Sequence, residues 1–389
     1  MLREYYADMH IHIGRDKYNN SVKITASQQL TMTNILKEAS RRKGIQLIGI
    51  IDSHSPGVQD ELADLINVGV AHELEHGGVQ FEQTTVLLGA EIEIYDDNCH
   101  GPVHVLIFLP TLAKMRIFTN WLKTKVTNIT LSSQRYYGTA KDLQTKVKKL
   151  KGLFIPAHVF TPHKSLYGKG VKNSLTEIFH PELIDAIELG LSSDTWMADH
   201  IAELHDYPFL SNSDAHSLAK IAREYQVIYM KEPSFKEFTL ALQNKRGRKI
   251  VKNYGMNPKL GKYYSTVCKN CYENVAYLSD QCSNCQSTKI VNGVYDRIME
   301  LATPSPTTPN RPPYRYQVPL EYFPKLGPKT MERLLDRFNT EMNIVHHVPK
   351  EQLEEILSTK LTHMILSMRK GSLPIEAGGG GKYGRIDLK

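Results

Sequence analysis

The sequence predicts an α/β protein followed by a zinc ribbon and a small all-α unit, and three observations indicate this. Short apolar runs alternate with helix-like segments over roughly the first 220 residues, which is typical of a largely parallel sheet, either doubly wound or closed as a barrel. Two C-x2-C pairs follow, and then a helical pattern after a proline-rich stretch. The predicted domains are 1–244 (catalytic), 245–300 (zinc ribbon), 301–319 (a stiff linker) and 320–389 (helical, with a glycine-rich tail).

The apolar runs predict buried strands that end in potential metal ligands. The first strand spans residues 3–13, and because side chains alternate along a strand, His10 and His12 point to the same side. Helices are predicted near 30–42, 58–76, 112–123 and 140–151. The carboxyl ends of such strands carry function, and imidazole suits zinc, manganese and iron. The remaining candidate ligands at strand ends are Asp52 and His54, Glu91, His158, and Asp214 with His216, and His104 lies inside its predicted strand.

Composition and charge limit the class of protein. The 389 residues are 41% hydrophobic, and they contain neither a run of eighteen apolar residues nor an apolar leader, so we expect a cytoplasmic protein without membrane spans. Residues 245–389 hold 23 basic and 13 acidic residues, whereas residues 1–244 hold 25 and 28. A basic second part favours a polyanionic partner, although such charge is also common on surfaces that bind nothing in particular.

Four of the five cysteines have the spacing of a structural zinc site. Ten residues separate the two C-x2-C pairs, which can bring four thiolates into one tetrahedron. Two disulfides are the alternative, and a reducing cytoplasm disfavours them. Cys99 is expected to be a free thiol. The predicted zinc ligands are Cys268, Cys271, Cys282 and Cys285.

The ordered series of ligands resembles the PHP phosphoesterase family, a distorted β/α barrel that holds up to three divalent metals (Zn, Mn or Mg). By this resemblance His10, His12, Glu91 and Asp214 hold one metal, and Glu91 bridges to a second. The resemblance assigns catalysis to Glu91, His158 and Asp214, makes Asp52 a metal ligand or an outer partner, and makes Asp8 the partner of an imidazole. The second metal is also held by His104 and His158, and a third by His54 and His216, with Asp16 as a further candidate.

Within that family the whole chain resembles the endonuclease Q branch, in which a PHP domain precedes a zinc ribbon and a helical DNA-binding domain. The resemblance lies in residues 155–162, 188–193 and 211–217, in the domain order and in the cysteine spacing. It implies nicking of double-stranded DNA 5′ to uracil, hypoxanthine, xanthine and abasic sites, leaving a 3′-hydroxyl and a 5′-phosphate. His163 departs from an expected aromatic residue, and Lys325 replaces the usual first glycine of a helix-hairpin-helix turn. The candidate DNA contacts are Arg135, Tyr167, Arg223, Gly327 and Lys329.

Other interpretations remain open at this point. The segment 72–76 fits the H-E-x-x-H protease signature, which requires a helix. A PHP phosphatase acting on a small phosphate ester would not need the basic second part, and a PHP module that only binds DNA would not need the intact ligand series. Residues 317–323 loosely suggest a peptide that binds a sliding clamp. The tyrosines near the site could simply be packed in loops.

Overall fold

We describe the fold from a computed structural model. It covers residues 1–373 other than 262, 277, 306 and 308, and the backbone of residues 375–376 and 385–386. The predicted glycine-rich tail therefore lies outside the described residues. The strands are β1 (Arg3–Ile11), β2 (Leu47–Ile50), β3 (His72–Glu73), β4 (Val79–Phe81), β5 (Thr84–Ile94), β6 (Val103–Leu109), β7 (Arg135–Tyr136), β8 (Leu153–Pro156), β9 (Ile187–Glu188), β10 (Phe209–Leu210), β11 (Tyr225–Met230), β12 (Lys249–Gly255), β13 (Val267–Cys268), β14 (Ile290–Val291), β15 (Tyr314–Tyr316), β16 (Ile375–Glu376) and β17 (Arg385–Ile386).

Several α-helices begin where the sequence supplies a capping side chain. Thr31, Thr111 and Thr139 each accept a hydrogen bond from a backbone N–H in the first turn of the helix that follows, which satisfies one of its free donors. The helices are α1 (Met32–Lys37), continued by a π-helical segment (Glu38–Lys43), α2 (Pro56–Asn67), α3 (Leu112–Leu122), α4 (Ala140–Lys149), α5 (Thr195–Ala198), α6 (Phe235–Leu242), α7 (Val294–Leu301), α8 (Pro328–Phe338), α9 (Glu341–His346), α10 (Lys350–Glu354) and α11 (Thr359–Arg369).

The central sheet closes into a distorted barrel, as predicted, but it is less parallel than predicted. Strands β1, β2 and β5 are parallel, whereas β6 runs antiparallel to both β5 and β8. Backbone hydrogen bonds from Asp185 to Phe154 and from Val159 to Glu188 connect β8 to β9, and β9 pairs with β10. Ala215 then bonds to both His10 and His12, which returns the ring to β1.

The barrel interior is filled by large side chains packed against glycines. Phe108 is fully buried, and its ring lies so close to Gly49 and Gly89 that a Cβ at either position would be 2.7 or 2.8 Å from it. These glycines therefore leave the space that the ring fills, as close packing requires. Met9, from the face of β1 opposite to the histidines, joins the same buried cluster. This apolar plug lies below the strand ends that carry the polar residues.

Three predicted elements have a different structure. Residues 72–73 form β3, not the end of a helix, because α2 stops at Asn67. The H-E-x-x-H segment therefore lacks the helical geometry that a zincin protease needs.

The main sheet continues beyond the expected boundary at 244, since β12 pairs with β11. The later part of the predicted stiff linker is packed on the barrel: β15 adds to β12, and the Arg311 guanidinium bonds to Asp199.

The helical part has its own apolar core and is docked on the barrel. Leu334, Ile344, Leu353 and Ile365 are fully buried at its centre. The Lys43 ammonium lies 2.8 Å from a carboxylate oxygen of Glu341 across the contact with the barrel. Among the described helices, none combines the length and the apolar character needed to cross a membrane.

Candidate metal centre and nucleic-acid interface

The first group of ligands comes from both ends of the barrel sequence. His10 and His12 lie on one side of β1, and Asp214 follows β10, which the barrel closure brings next to β1. The Asp214 Oδ1 atom lies 3.3 Å from His10 Nε2 and 3.4 Å from His12 Nε2. Three donor atoms of these residues lie within 4.8 Å of one another, which is compatible with one shared cation.

The second group surrounds Glu91, which lies within β5 rather than at its end. Its Oε1 atom accepts a hydrogen bond from His104 Nδ1 at 2.9 Å and lies 3.3 Å from His158 Nε2. The same carboxylate is 3.6 Å from His10 Nε2 and 3.7 Å from His12 Nε2. Glu91 therefore lies between the two groups, where a bridging ligand for two cations would lie.

Two ligand-bearing residues have strained backbones that neighbouring groups hold in place. His158 and Asp214 have φ angles of 31° and 46°, in the region that non-glycine residues rarely adopt. The Arg223 guanidinium donates to the carbonyls of Ser213 (2.7 Å) and Asp214 (3.4 Å), which fixes the second of these turns. Strain of this kind persists where the surroundings determine the conformation, which is common at functional sites.

Buried carboxylates behind the first histidine pair orient the imidazoles. His10 Nδ1 donates to Glu188 at 2.9 Å, and His12 Nδ1 donates to Asp52 at 3.0 Å. Each contact turns the other nitrogen, Nε2, toward the centre, which is the usual arrangement behind metal-binding histidines. The expectation that Asp8 orients an imidazole is wrong. Its carboxylate accepts backbone N–H groups of the Asp214 loop at Ser213 and Ala222.

The donor set fits divalent cations. His10 Nε2, His12 Nε2 and His104 Nε2 are buried without a hydrogen-bond partner, a costly state unless a cation binds them. Burial would lower the pKa of His10, but the carboxylates of Glu188, Asp214 and Glu91 raise it to about 10. Burial would raise the pKa of Asp214, yet His10 and His12 hold it well below its usual range. The centre therefore attracts positive charge strongly, and nitrogen and carboxylate ligands suit zinc and manganese.

The residues expected to hold a third metal are already engaged with protein atoms. His54 Nε2 donates to the Leu131 carbonyl at 3.2 Å, and His216 Nδ1 donates to the Asp214 carbonyl at 3.0 Å. Asp16 accepts bonds from its own turn at Tyr18 and Asn20. One nitrogen of His54, Nδ1, is still buried without a partner, as is the second oxygen of Asp52.

Three further polar groups of the centre were not predicted as site residues. Lys23 Nζ lies 3.0 Å from Glu91 Oε2 and 2.7 Å from the Ser133 hydroxyl, which itself donates to Glu91. Glu93 lies 3.6 Å from His104 Nε2 and accepts from Lys164. Single residues such as Lys23 and Ser133 have no spacing pattern, so only the structure identifies them.

The four cysteines form one cluster. The Sγ atoms of Cys268 and Cys285 are 3.5 Å apart, and those of Cys271 and Cys282 are 3.6 Å apart, which is too far for disulfides. All four sulfurs lie within 4.8 Å of one another, as a tetrahedral zinc site requires. A hydrogen bond from Asn270 is the main cause that lowers the pKa of Cys285 to about 6, which favours the thiolate that binds metal.

Comparison with known proteins agrees with this architecture. Residues 193–247 match the family described as PHP-associated. The uncharacterized protein YqxK of Bacillus subtilis (strain 168) is 52% identical over 385 residues, which cover 99% of this chain and 100% of YqxK. The crystal structure of the lesion-specific endonuclease PfuEndoQ from Pyrococcus furiosus is 32% identical, with a TM-score of 0.86 over 99% of this chain and 96% of that one.

A second structure, Endonuclease Q in complex with a 27-mer duplex substrate that carries an abasic lesion at the active site, is also 32% identical. It covers 100% of this chain and 97% of that chain, with a TM-score of 0.85. The chain belongs to the endonuclease Q family of the PHP superfamily. This family comprises hydrolases that act on DNA, so the expected family and fold are confirmed.

The candidate DNA contacts predicted for this chain are not equally accessible to solvent. Tyr167 is fully buried, stacks on Phe160 and donates its hydroxyl to Glu203 at 2.7 Å, so its assignment as a DNA contact was wrong. Arg223 donates to the carbonyls of the Asp214 loop. Arg135 is exposed, with its guanidinium 4.8 Å from the Tyr95 ring centre and 5.5 Å from that of Tyr137.

The turn before α8 keeps the expected geometry despite its lysine. Lys325 has a φ of 71°, the left-handed conformation that usually favours glycine. Gly327 precedes the first turn of α8, and nothing lies within 4 Å of the position of a Cβ there. Lys329 is exposed in that first turn. The free N–H groups of this helix start are thus open to an anion.

The segment that suggested a clamp peptide is packed inside the protein. Gln317 accepts a hydrogen bond from the Tyr225 hydroxyl at 2.8 Å, and Val318, Leu320 and Phe323 are buried. These four side chains are therefore unavailable to a clamp, and that expectation has no support.

A small cavity of about 100 Å³ adjoins the candidate metal centre, the two groups of ligands that meet at Glu91. His158, Glu188 and Asp214 line it on the side of the barrel, and Tyr263 lines it from the segment before the cysteines. The ring of His163, the residue that departs from the family pattern, packs edge-on against Tyr263 at 5.6 Å. His163 therefore lies behind the cavity wall.

Proposed function

We propose that this protein is a metal-dependent DNA-repair endonuclease that nicks a strand 5′ to a damaged nucleotide. Its substrates would be uracil, hypoxanthine, xanthine and abasic sites in duplex DNA, and its products a 3′-hydroxyl and a 5′-phosphate. The observation that carries the proposal is the convergence of two histidine–carboxylate groups on Glu91. The 32% identity to an endonuclease Q whose structure holds an abasic duplex supports the choice of substrate.

The proposed roles of the side chains follow from their positions. His10, His12 and Asp214 would hold one cation, His104 and His158 a second, and Glu91 both. Bound divalent cations lower the pKa of water and neutralise phosphate oxygens in an in-line displacement. Glu188 and Asp52 keep the imidazole Nε2 atoms aimed inward. Asp52 is thus an outer partner through one oxygen, with its other oxygen free to act as a ligand.

Recognition of damage is proposed to use the cavity beside the centre. An enzyme that acts on one nucleotide of a duplex must bring it out of the base stack, and damaged pairs cost least to open. The cavity shares His158, Glu188 and Asp214 with the ligand-bearing region, so a nucleotide placed there would lie next to the scissile phosphate. Gly327 and Lys329 would hold backbone phosphates elsewhere on the duplex without reading sequence.

A nicking assay tests the proposal. Purified protein is mixed with a labelled duplex that contains one uracil, hypoxanthine, xanthine or abasic site, with Mn2+, Mg2+ or no added metal. An undamaged duplex of the same sequence is the control. We expect one nick 5′ to the lesion, only with metal, whose 3′ end supports polymerase extension and whose 5′ end supports ligation.

Two other outcomes would replace the proposal. Release of phosphate from p-nitrophenyl phosphate while every duplex stays intact would favour a PHP phosphatase. Retarded migration of the duplex in a gel without any nick would favour a module that only binds DNA.

A further inference from the structure

The cations of the barrel part are concentrated in one segment. Residues 112–151, which comprise α3, the following loop, β7 and α4, contain ten Lys and Arg residues and one acidic residue, Asp142. The rest of residues 1–244 contains fifteen basic and 27 acidic residues. The positive charge of this segment nearly cancels the negative charge of the rest of residues 1–244. We call residues 112–151 the cationic strip.

Most cations of the cationic strip have no acidic partner within the described residues. Among the described residues, the strip's Lys and Arg side chains make one ion pair, between Lys148 and Asp185. The side chains of Arg116, Lys123, Lys149 and Lys151 are exposed. Cations without acidic partners, concentrated in one segment against an acidic background, are the electrostatic footprint of a polyanion.

The loop of the cationic strip is part of the metal centre's wall. The Ser132 hydroxyl lies 3.3 Å from His12 Nδ1, and the neighbouring Ser133 hydroxyl bonds to Glu91. The Tyr137 N–H bonds to the Lys125 carbonyl at 2.7 Å, which ties the two ends of the loop together. Lys123, Lys125 and Lys141 thus flank the short segment that touches the ligands.

We propose that the cationic strip binds the phosphate backbone of the duplex that flanks the lesion, along a path that leads from the candidate metal centre to α3 and α4. This inference rests on the proposed function and names a surface for its substrate. A strand that leaves the centre past Ser133 would meet Lys123, Lys125 and Arg135 first. The basic residues farther along α3 and α4 would then follow the backbone without reading its sequence.

The test compares two variants that lose the same charge. Lys123→Gln/Lys125→Gln/Lys141→Gln removes three cations of the strip, and Lys37→Gln/Lys231→Gln/Lys236→Gln removes three exposed cations elsewhere on the barrel part. Binding to undamaged and abasic duplexes is measured over a range of salt concentrations. We expect the strip variant to bind about tenfold or more weaker near 0.1 M salt, with a log–log salt slope smaller by about two to three. The control variant should bind like the wild type.

The length of the duplex on each side of the lesion provides a second test. The deficit of the strip variant should disappear on duplexes shortened on one side of the lesion, because the lost contacts then have no phosphates to bind. Equal salt slopes for the two variants would overturn the inference, and so would binding of the strip to anionic lipid vesicles but not to DNA. Because binding is measured without cleavage, a protein that nicks no lesion would refute the proposed function while leaving this result readable.

Discussion

The candidate metal centre and the four-cysteine cluster differ in two respects: how far apart their ligands lie in the sequence, and how exposed those ligands are to solvent. The cluster draws its four sulfurs from eighteen residues, 268–285, and all four point at one another. The metal centre draws on residues from 10 to 214, and the Asp214 side chain is 33% exposed. A closed thiolate cage has no position for a substrate, whereas an open carboxylate centre does. With metal bound, we expect the first to stabilise a fold and the second to perform chemistry.

The largest expected effect is the loss of nicking activity when the partly exposed Asp214 carboxylate is removed. Asp214→Ala removes a ligand that lies within 3.4 Å of both His10 and His12. We expect nicking of a uracil duplex to fall by at least about 10³-fold, while salt-dependent binding of DNA stays near that of the wild type. Asp206→Ala, an exposed carboxylate outside the centre, is the matched control. Normal cleavage by the Asp214 variant would exclude this residue from the mechanism.

Mutation of the four-cysteine cluster should lower local stability rather than act directly on catalysis. Cys282→Ser replaces a buried thiolate and should cost one zinc equivalent per chain, measured by elemental analysis. Faster hydrogen exchange is expected around residues 266–291 and not in the barrel strands. Cys99→Ser, at a thiol whose pKa burial raises to about 12, is the control and should leave the zinc content unchanged. Unaltered zinc in the Cys282 variant would contradict a four-cysteine cage.

An intermediate effect on metal affinity is expected from Glu188, which contacts the metal-facing His10 from behind. Glu188→Gln keeps the shape of the side chain but weakens its contact with His10 Nδ1. Partners of this kind typically change metal affinity about 10–100-fold, so manganese titration should show weaker binding by that factor. Glu182→Gln, on the exposed turn nearby, should have no effect. Equal affinity in both variants would mean that the Glu188 carboxylate does not position His10.

The smallest effect concerns the helical part, which is held to the barrel by side-chain packing and hydrogen bonds. His346 accepts a hydrogen bond from the Tyr225 hydroxyl at 2.6 Å, and burial, with His347, Arg369 and Lys252, lowers its pKa to about 3. An unfolded histidine gains its proton near pH 6.5, so the folded state loses stability as the pH falls from about 6.5 toward 3. At pH 5 this loss is up to about 2 kcal/mol.

Unfolding in urea at pH 7.5 and pH 5 measures this loss. The difference between the two pH values should be smaller for His346→Gln than for the wild type. The exposed His363→Gln variant should keep the wild-type difference. An unchanged difference in the His346 variant would show that this histidine is not kept neutral by burial.

The same contrast explains what the sequence could predict. The cysteine cluster is local, so spacing alone was sufficient to place it. The histidines of β1 were found from strand alternation, and the family resemblance ordered the rest. Glu188 and Lys23 were missed because each is a single residue whose role depends on the closed barrel. Tyr167 was misjudged because a loop tyrosine gives no sign of whether its ring packs inward. The parallel sheet was overestimated because strand direction depends on pairing, which apolar runs do not encode.

The central claim is that Glu91 lies between two bound cations. Anomalous diffraction at the manganese edge, from crystals grown with Mn2+ and an abasic duplex, tests it most directly. We predict two peaks within ligand distance of the Glu91 carboxylate, one beside His10, His12 and Asp214 and one beside His104 and His158. The absence of any peak at Glu91 would contradict the account.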